Sequence, residues 1–240
     1  MMSDYEKYIH FKSLTGSKAY GLNNENSDDD WRGFYLPPTS DFFKLTEPPE
    51  QIVKLKEEDS TYWELKKYLR LALQNNPNVL ETLWSPTMIY QNHVMQRYIE
   101  PFILNNRNKF LSKRIMETYG GYATSQLKRG EEYIARGKTK DGWKHLMHLC
   151  RLLIQGRDAL LTGELRVDVG EYKERLLSIR REEVSMTDFK EWHSELEAKF
   201  EQAKLVTQLQ DKPEPAFAEE FLVKMRHLMM SPPVMRELQS

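Results

Sequence analysis

Gly16-Ser17-Lys18-Ala19-Tyr20-Gly21, followed by Ser27-Asp28-Asp29-Asp30-Trp31-Arg32-Gly33, is the stretch on which the reading of this chain turns. A glycine-serine turn can wrap a phosphate with backbone N–H groups and a hydroxyl. Ten residues further on come Asp28 and Asp30. At i and i+2 on an extended segment they share one side of it and can share metal ions. The layout suits chemistry on a nucleoside triphosphate held by magnesium. A lone D-x-D reads as a solvated turn, since Asn, Ser and Asp favour turns. The glycine-serine pair upstream and a strand on each side weigh against that reading here.

Working outward, residues 8–14 alternate loosely into the turn and predict a strand. Residues 31–36 predict a second, stopped by Pro37-Pro38. Residues 51–56 alternate cleanly and predict a third, running through Glu57-Glu58-Asp59 into a helix. Thr61 and Glu64 read as the T-x-x-E capping box of that helix. Tyr62, Leu65, Leu69, Ala72 and Leu73 follow with helical period, and Asn75-Asn76-Pro77 ends it. A short helix over 79–84, broken by Pro86, precedes helical stretches at about 91–117, 120–136, 140–162, 187–210 and 215–230, with Gly163 as a cap and 166–169 extended. The expected fold class is α+β. A small mixed-sheet domain with helices covers residues 1–85, and an all-helical domain covers 86–240.

Transfer of a nucleotide calls for carboxylates converging on divalent metal from neighbouring strands. Asp28 and Asp30 supply two. Asp59, at the end of the third predicted strand, is the expected third, with Glu57 the alternative because it shares that face by alternation. Arg32, two residues beyond Asp30, could reach a phosphate, brace a carboxylate or pair with Asp28 or Asp30. Lys144, His148 and Arg151 stand at i, i+4 and i+7 on one helix face. That face suits the phosphates of a triphosphate or an RNA, against the plainer reading of a solvated surface. His145 and His148 have no third zinc ligand at a recognised spacing. Cys150 lies in an apolar run and reads as a buried thiol, and Trp192 and Phe200 as core.

Composition narrows the class. Hydrophobic residues make up 40% and charged residues 30% of 240, an ordinary globular balance. No apolar run approaches the roughly 18–20 residues that span a bilayer, so no membrane partner is expected. The single cysteine excludes a disulfide framework. The start of the chain lacks signal-peptide character, and a cytoplasmic location is expected. The net charge of -1 hides an asymmetry: residues 1–60 carry 7 Lys/Arg against 12 Asp/Glu, residues 101–160 carry 12 against 5. One region suits metal, the other phosphates.

Gly16-Ser17-x-Ala19-Tyr20-Gly21 with Ser27-Asp28-x-Asp30-x-Arg32-Gly33-x-Tyr35 resembles the predicted nucleotidyltransferases of the DNA polymerase beta superfamily. More closely, it is similar to the group called RNA repair pathway DNA polymerase beta family. The likeness continues through Leu65-Lys66-Lys67-Tyr68-Leu69-Arg70-Leu71, Asn76-Pro77-Asn78-Val79-Leu80-Glu81, Gly121-Tyr122-Ala123 to Gln126, and Lys144, His148 and Arg151-Leu152-Leu153. The resemblance implies a mixed sheet with helices and a nucleotide transfer that depends on Mg2+, with Mn2+ as the other candidate. Gly16 and Ser17 would hold the nucleoside triphosphate and Asp28 and Asp30 the metal. Asp29 replaces a hydrophobic residue common at that position in the wider superfamily, which leaves the D-x-D register open. The expected acceptor is an RNA 3′ end, tRNA-like. The alternatives are a protein side chain in a toxin–antitoxin or defence setting, or a non-catalytic module that binds nucleotide or RNA.

Overall fold

A computed structural model describes residues 2–25, 27–54 and 59–230. Along the chain run β1 (Ile9–Thr15), α1 (Gly16–Ala19), β2 (Asp30–Tyr35), β3 (Gln51–Lys54), β4 (Asp59–Glu64), α2 (Leu65–Leu73), α3 (Pro77–Trp84), β5 (Met88–Tyr90), α4 (His93–Phe110), α5 (Ile115–Ala135), α6 (Thr139–Thr162), α7 (Lys173–Arg180), α8 (Met186–Val206) and α9 (Ala216–Leu228). The chain divides into two compact units. One takes the residues up to Ala19, Glu25–Phe110 and the residues from Pro213; the other takes Tyr20–Asn24 and Leu111–Lys212. The fold is α+β.

The first unit is built on a five-stranded mixed sheet in the order β3-β4-β2-β1-β5. β2 and β4 run parallel, and the other neighbouring pairs are antiparallel. Alternation gives the sheet two working faces. Phe11 and Phe34 point to one face and pack with Tyr68 of α2, the Phe34 and Tyr68 rings 5.0 Å apart. Ser13 Oγ on the same face donates to Thr82 O of α3 at 2.8 Å. On the other face Tyr35, Ile52 and Tyr62 form a buried cluster with Tyr5, Tyr8, Ile9 and Trp31 against it.

The capping box at Thr61 and Glu64 is not formed. Thr61 lies mid-strand in β4, opposite Arg32 and Val53. The expected third strand is therefore two, and Asp59 begins the second of them. β4 is buried from Tyr62 to Glu64 with β2 on one side and β3 on the other, and that pairing overrides the weak local helix signal. Glu64 instead caps α2 itself, its Oε2 accepting from Lys66 N at 2.9 Å.

Asn75 ends α2 in the left-handed region at φ 55°. Asn76 then caps α3, its Oδ1 accepting from Asn78 N at 3.0 Å, with Pro77 in the first turn. Helix 91–117 divides: α4 passes through Pro101 to Phe110, and α5 starts at Ile115. β5 and α7 had no counterpart in the sequence reading, and 166–169 forms no strand.

α9 returns to close the sheet's unit. Arg226 Nη2 donates to Glu64 Oε1 at 2.5 Å, Thr39 Oγ1 donates to Arg226 O at 2.6 Å, and the guanidinium lies 4.1 Å from the Phe42 ring centroid. Residues 86–110 and 216–228 thus belong with the sheet.

In the second unit α5 packs along α6. Gly130 makes the close approach possible, because a Cβ there would come within 2.6 Å of Leu146 Cδ2. α6 ends on Gly163 in the left-handed region, as its spacing predicts. Phe189, Trp192, Leu196, Phe200 and Ala203 form the buried face of α8, also as predicted. Cys150 is a buried free thiol. Among the described residues no helix is long and apolar enough to cross a membrane.

Candidate active site

Three strands of the first unit bring their ends to one corner. The register pairs Thr15 of β1 with Asp30 of β2, and Asp30 with Asp59 of β4. Neighbouring strands lie about 4.8 Å apart and directly paired residues point to the same face, so Asp30 and Asp59 stand side by side. Thr15 Oγ1 fixes the corner by donating to Asp30 O at 3.0 Å.

The turn then folds against that pair. Gly16 has φ +68°, a conformation that favours glycine, and a Cβ there would overlap Asp30 Oδ2. The Asp30 carboxylate therefore lies over the bare Cα of Gly16. Ser17 follows within α1. The glycine is needed twice, for its backbone and for the space the carboxylate takes.

The three consecutive aspartates differ in their surroundings. Asp29 forms an ion pair with Lys18, drawing its carboxylate toward the turn's lysine. Asp28 is exposed in the segment leading into β2, and Asp30 opens that strand. Arg32 comes next on the Asp30 face, where its Nη1 donates to Asn78 Oδ1 at 2.7 Å at the start of α3. Glu57 lies outside the described residues. Thr15, Lys18 and Asn78 are positioning partners the sequence reading missed. Lys18 had a signal, since it sits between the glycine-serine turn and three consecutive acids.

These groups fit a magnesium or manganese ion in their chemistry. Asp30 and Asp59 are hard oxygen donors on adjacent strands, and a bare glycine backbone leaves room at one of them. Among the described residues no three carboxylate, imidazole or thiol groups form a ready-made metal cluster. Mg2+ tolerates that, because it is held by one or two carboxylates together with substrate phosphates rather than by a closed protein cage.

Lys144, His148 and Arg151 lie on α6 of the second unit and differ in character. Lys144 is exposed, His148 is half-buried, and Arg151 is 6% exposed. The Arg151 guanidinium lies 3.9 Å from the Tyr20 ring centroid and donates to Gln155 Oε1 at 2.5 Å. Gln155 in turn donates to Val167 O at 3.1 Å. Burial, then Arg151, Lys144, His145 and Arg180, hold the His148 pKa well below the usual imidazole range. The shift favours the uncharged imidazole at His148, in contrast to Lys144 and Arg151 on the same face. Arg180 joins the group by donating to Leu22 O at 3.1 Å.

With this geometry in place, comparison with known proteins is informative. A family model described as RlaP, RNA repair pathway DNA polymerase beta family, matches residues 2–224. The chain is 34% identical over 89 residues to the uncharacterized protein YcgL of Bacillus subtilis (strain 168), an overlap of 36% of this chain and 34% of that one. The match thus spans about a third of that curated relative's length. A solved nucleotidyltransferase-like protein from Exiguobacterium sibiricum 255-15 aligns with a TM-score of 0.30 at 14% identity, covering 98% of this chain and 76% of its own.

Proposed function

The chain belongs to the RNA repair pathway DNA polymerase beta family, and from that premise we propose that it is an enzyme transferring a nucleoside monophosphate from a nucleoside triphosphate to an RNA 3′ hydroxyl. The observation that carries the reading is the Asp30–Asp59 pair beside Gly16. Asp28, Asp30 and Asp59 would hold the divalent cation, which would supply charge neutralisation for the triphosphate and the leaving pyrophosphate. The turn at Gly16 and Ser17 cradles the phosphates with backbone N–H groups and the Ser17 hydroxyl.

The acceptor oxygen forms a bond to the α-phosphorus, the bond from that phosphorus to pyrophosphate breaks, and Asp59 takes the hydroxyl proton. Arg32, fastened to Asn78, keeps further N–H donors for a phosphate. On the helical unit we assign phosphate binding to Lys144 and Arg151, with His148 a neutral hydrogen-bonding partner.

The test is incubation with each labelled triphosphate, Mg2+ or Mn2+, and total RNA. Label should enter RNA and pyrophosphate should appear, and Asp30→Asn with Asp59→Asn should abolish both. Label on protein instead would replace the acceptor. No label anywhere and no pyrophosphate would leave a binding module and end the enzyme reading.

A further inference from the structure

The groove between α4 and α9 lies outside every role assigned above. It encloses about 310 Å3 within the first unit. Its apolar wall is aromatic. Phe102 stacks on Phe221 with centroids 3.7 Å apart and planes 7° from parallel, and Phe217 stands edge-on to Phe110 at 4.8 Å. Phe102 and Phe217 are only half-buried, so part of each ring faces the groove. The polar lining carries Arg97, Lys109 and Lys224, with Glu220 as the carboxylate. Two of these cations sit beside rings: Lys109 Nζ is 5.7 Å from the Phe217 centroid and Lys224 Nζ 5.2 Å from that of Tyr98.

Cations set among half-exposed rings meet the alternation of a single nucleic-acid strand, phosphate outward and base against an aromatic face. An acidic peptide would satisfy the charges and leave the rings without a purpose. A duplex keeps its bases stacked inside and cannot use the rings at all.

We infer that this groove binds single-stranded RNA, with bases on Phe102 and Phe217 and phosphates on Arg97, Lys109 and Lys224. The choice of RNA rests on the acceptor reading proposed above. Asn105, an exposed amide in the lining, is placed for a ribose 2′-hydroxyl. α9 is pinned through Arg226 to Glu64, at the end of β4 away from Asp59, and five strand steps separate those ends by about 16 Å.

Fluorescence anisotropy with labelled oligo(A) and oligo(U) RNA of about ten nucleotides tests this, with no triphosphate or metal added. Arg97→Glu with Lys224→Glu, both exposed and both lining the groove, should weaken binding at least tenfold. It should also flatten the salt dependence, the slope of log affinity on log salt falling by about 1.4 for two lost phosphate contacts. Phe217→Leu keeps the apolar packing but loses the ring face, and should weaken binding roughly tenfold with the slope unchanged. Thermal melting of each variant checks that it folds.

Charge reversal that changes affinity less than twofold overturns the inference, as does duplex RNA or single-stranded DNA of the same sequence binding as tightly. Wild-type protein that binds no single-stranded RNA ends it too, whatever the transfer assay shows. Binding that behaves as expected in a protein with no transfer activity overturns the enzyme reading alone.

Discussion

Replacing Gly16 by alanine puts a methyl group where the Asp30 carboxylate stands, on backbone at φ +68°. Left-handed backbone costs a residue with a side chain about 1–2 kcal/mol. Forcing Asp30 off its rotamer adds about 0.5–1.5 kcal/mol. The expected loss is thus roughly 2–3 kcal/mol, and for a chain of this size Tm should fall by about 4–12 °C.

Gly137 supplies the matched comparison, with φ +77° and nothing within 4 Å of an added Cβ. Gly137→Ala should show only the backbone part of the cost. Calorimetric Mn2+ titration separates the two consequences. Gly16→Ala should weaken Mn2+ binding at least tenfold, because Asp30 no longer lies beside Asp59, while Gly137→Ala should bind as the parent does. Mn2+ affinity unchanged in Gly16→Ala would refute the argument that the bare glycine positions a metal-binding carboxylate.

Two further outcomes follow from buried charge. Arg226→Met strands Glu64, whose side chain is only 8% exposed; urea unfolding should show a loss of about 3–5 kcal/mol, and one under about 1 kcal/mol would mark the pair as a mere surface contact. His10 is buried and its pKa is lowered to about 4, chiefly by desolvation, with Nε2 3.2 Å from Leu36 O. The unfolded chain therefore takes up that proton first, so stability is whole above about pH 6.5 and falls by roughly 3 kcal/mol on the way to pH 4; in urea midpoints measured across that window, His10→Gln should flatten the decline, and parallel profiles would refute the assignment.

The parts of the fold legible in the sequence were those where local pattern and burial agree. β1 carries loose alternation into a turn, β2 is stopped by Pro37-Pro38, and the buried face of α8 keeps its three- and four-residue steps. β4 was misread because Thr61 and Glu64 have the spacing of a capping box, while the burial of β4 from Tyr62 to Glu64 exists only once β2 and β3 lie on either side. β5 has three residues and depends on β1 for its register.

At the corner, the Gly16–Ser17 turn and the aspartates could be named because their residue types carry the chemistry. The placement of Asp59 beside Asp30 came out of a wrong local picture, since a strand that ends at Asp59 and one that begins there put the same residue at one edge. Lys18 had only its place between the turn and the acids to mark it, and Asn78 had no signal of its own. A lysine that holds the middle aspartate and an amide that holds Arg32 leave no periodic trace.

The contacts of α9 also bear on how the protein is made. Thr39 and Glu64 find their partner in Arg226, which is 187 and 162 residues away in the chain. On the ribosome all five strands emerge early, yet the arginine that matches Glu64 leaves the exit tunnel only after the whole of Leu111–Lys212 has been synthesised. The intervening helical unit is nearly contiguous and can settle as it emerges, whereas closing so long a loop back onto the sheet is entropically slow. The half of the molecule that holds Asp30 and Asp59 is thus begun first and completed last, and a nascent chain stalled before Pro213 would display its sheet with Glu64 still unmatched.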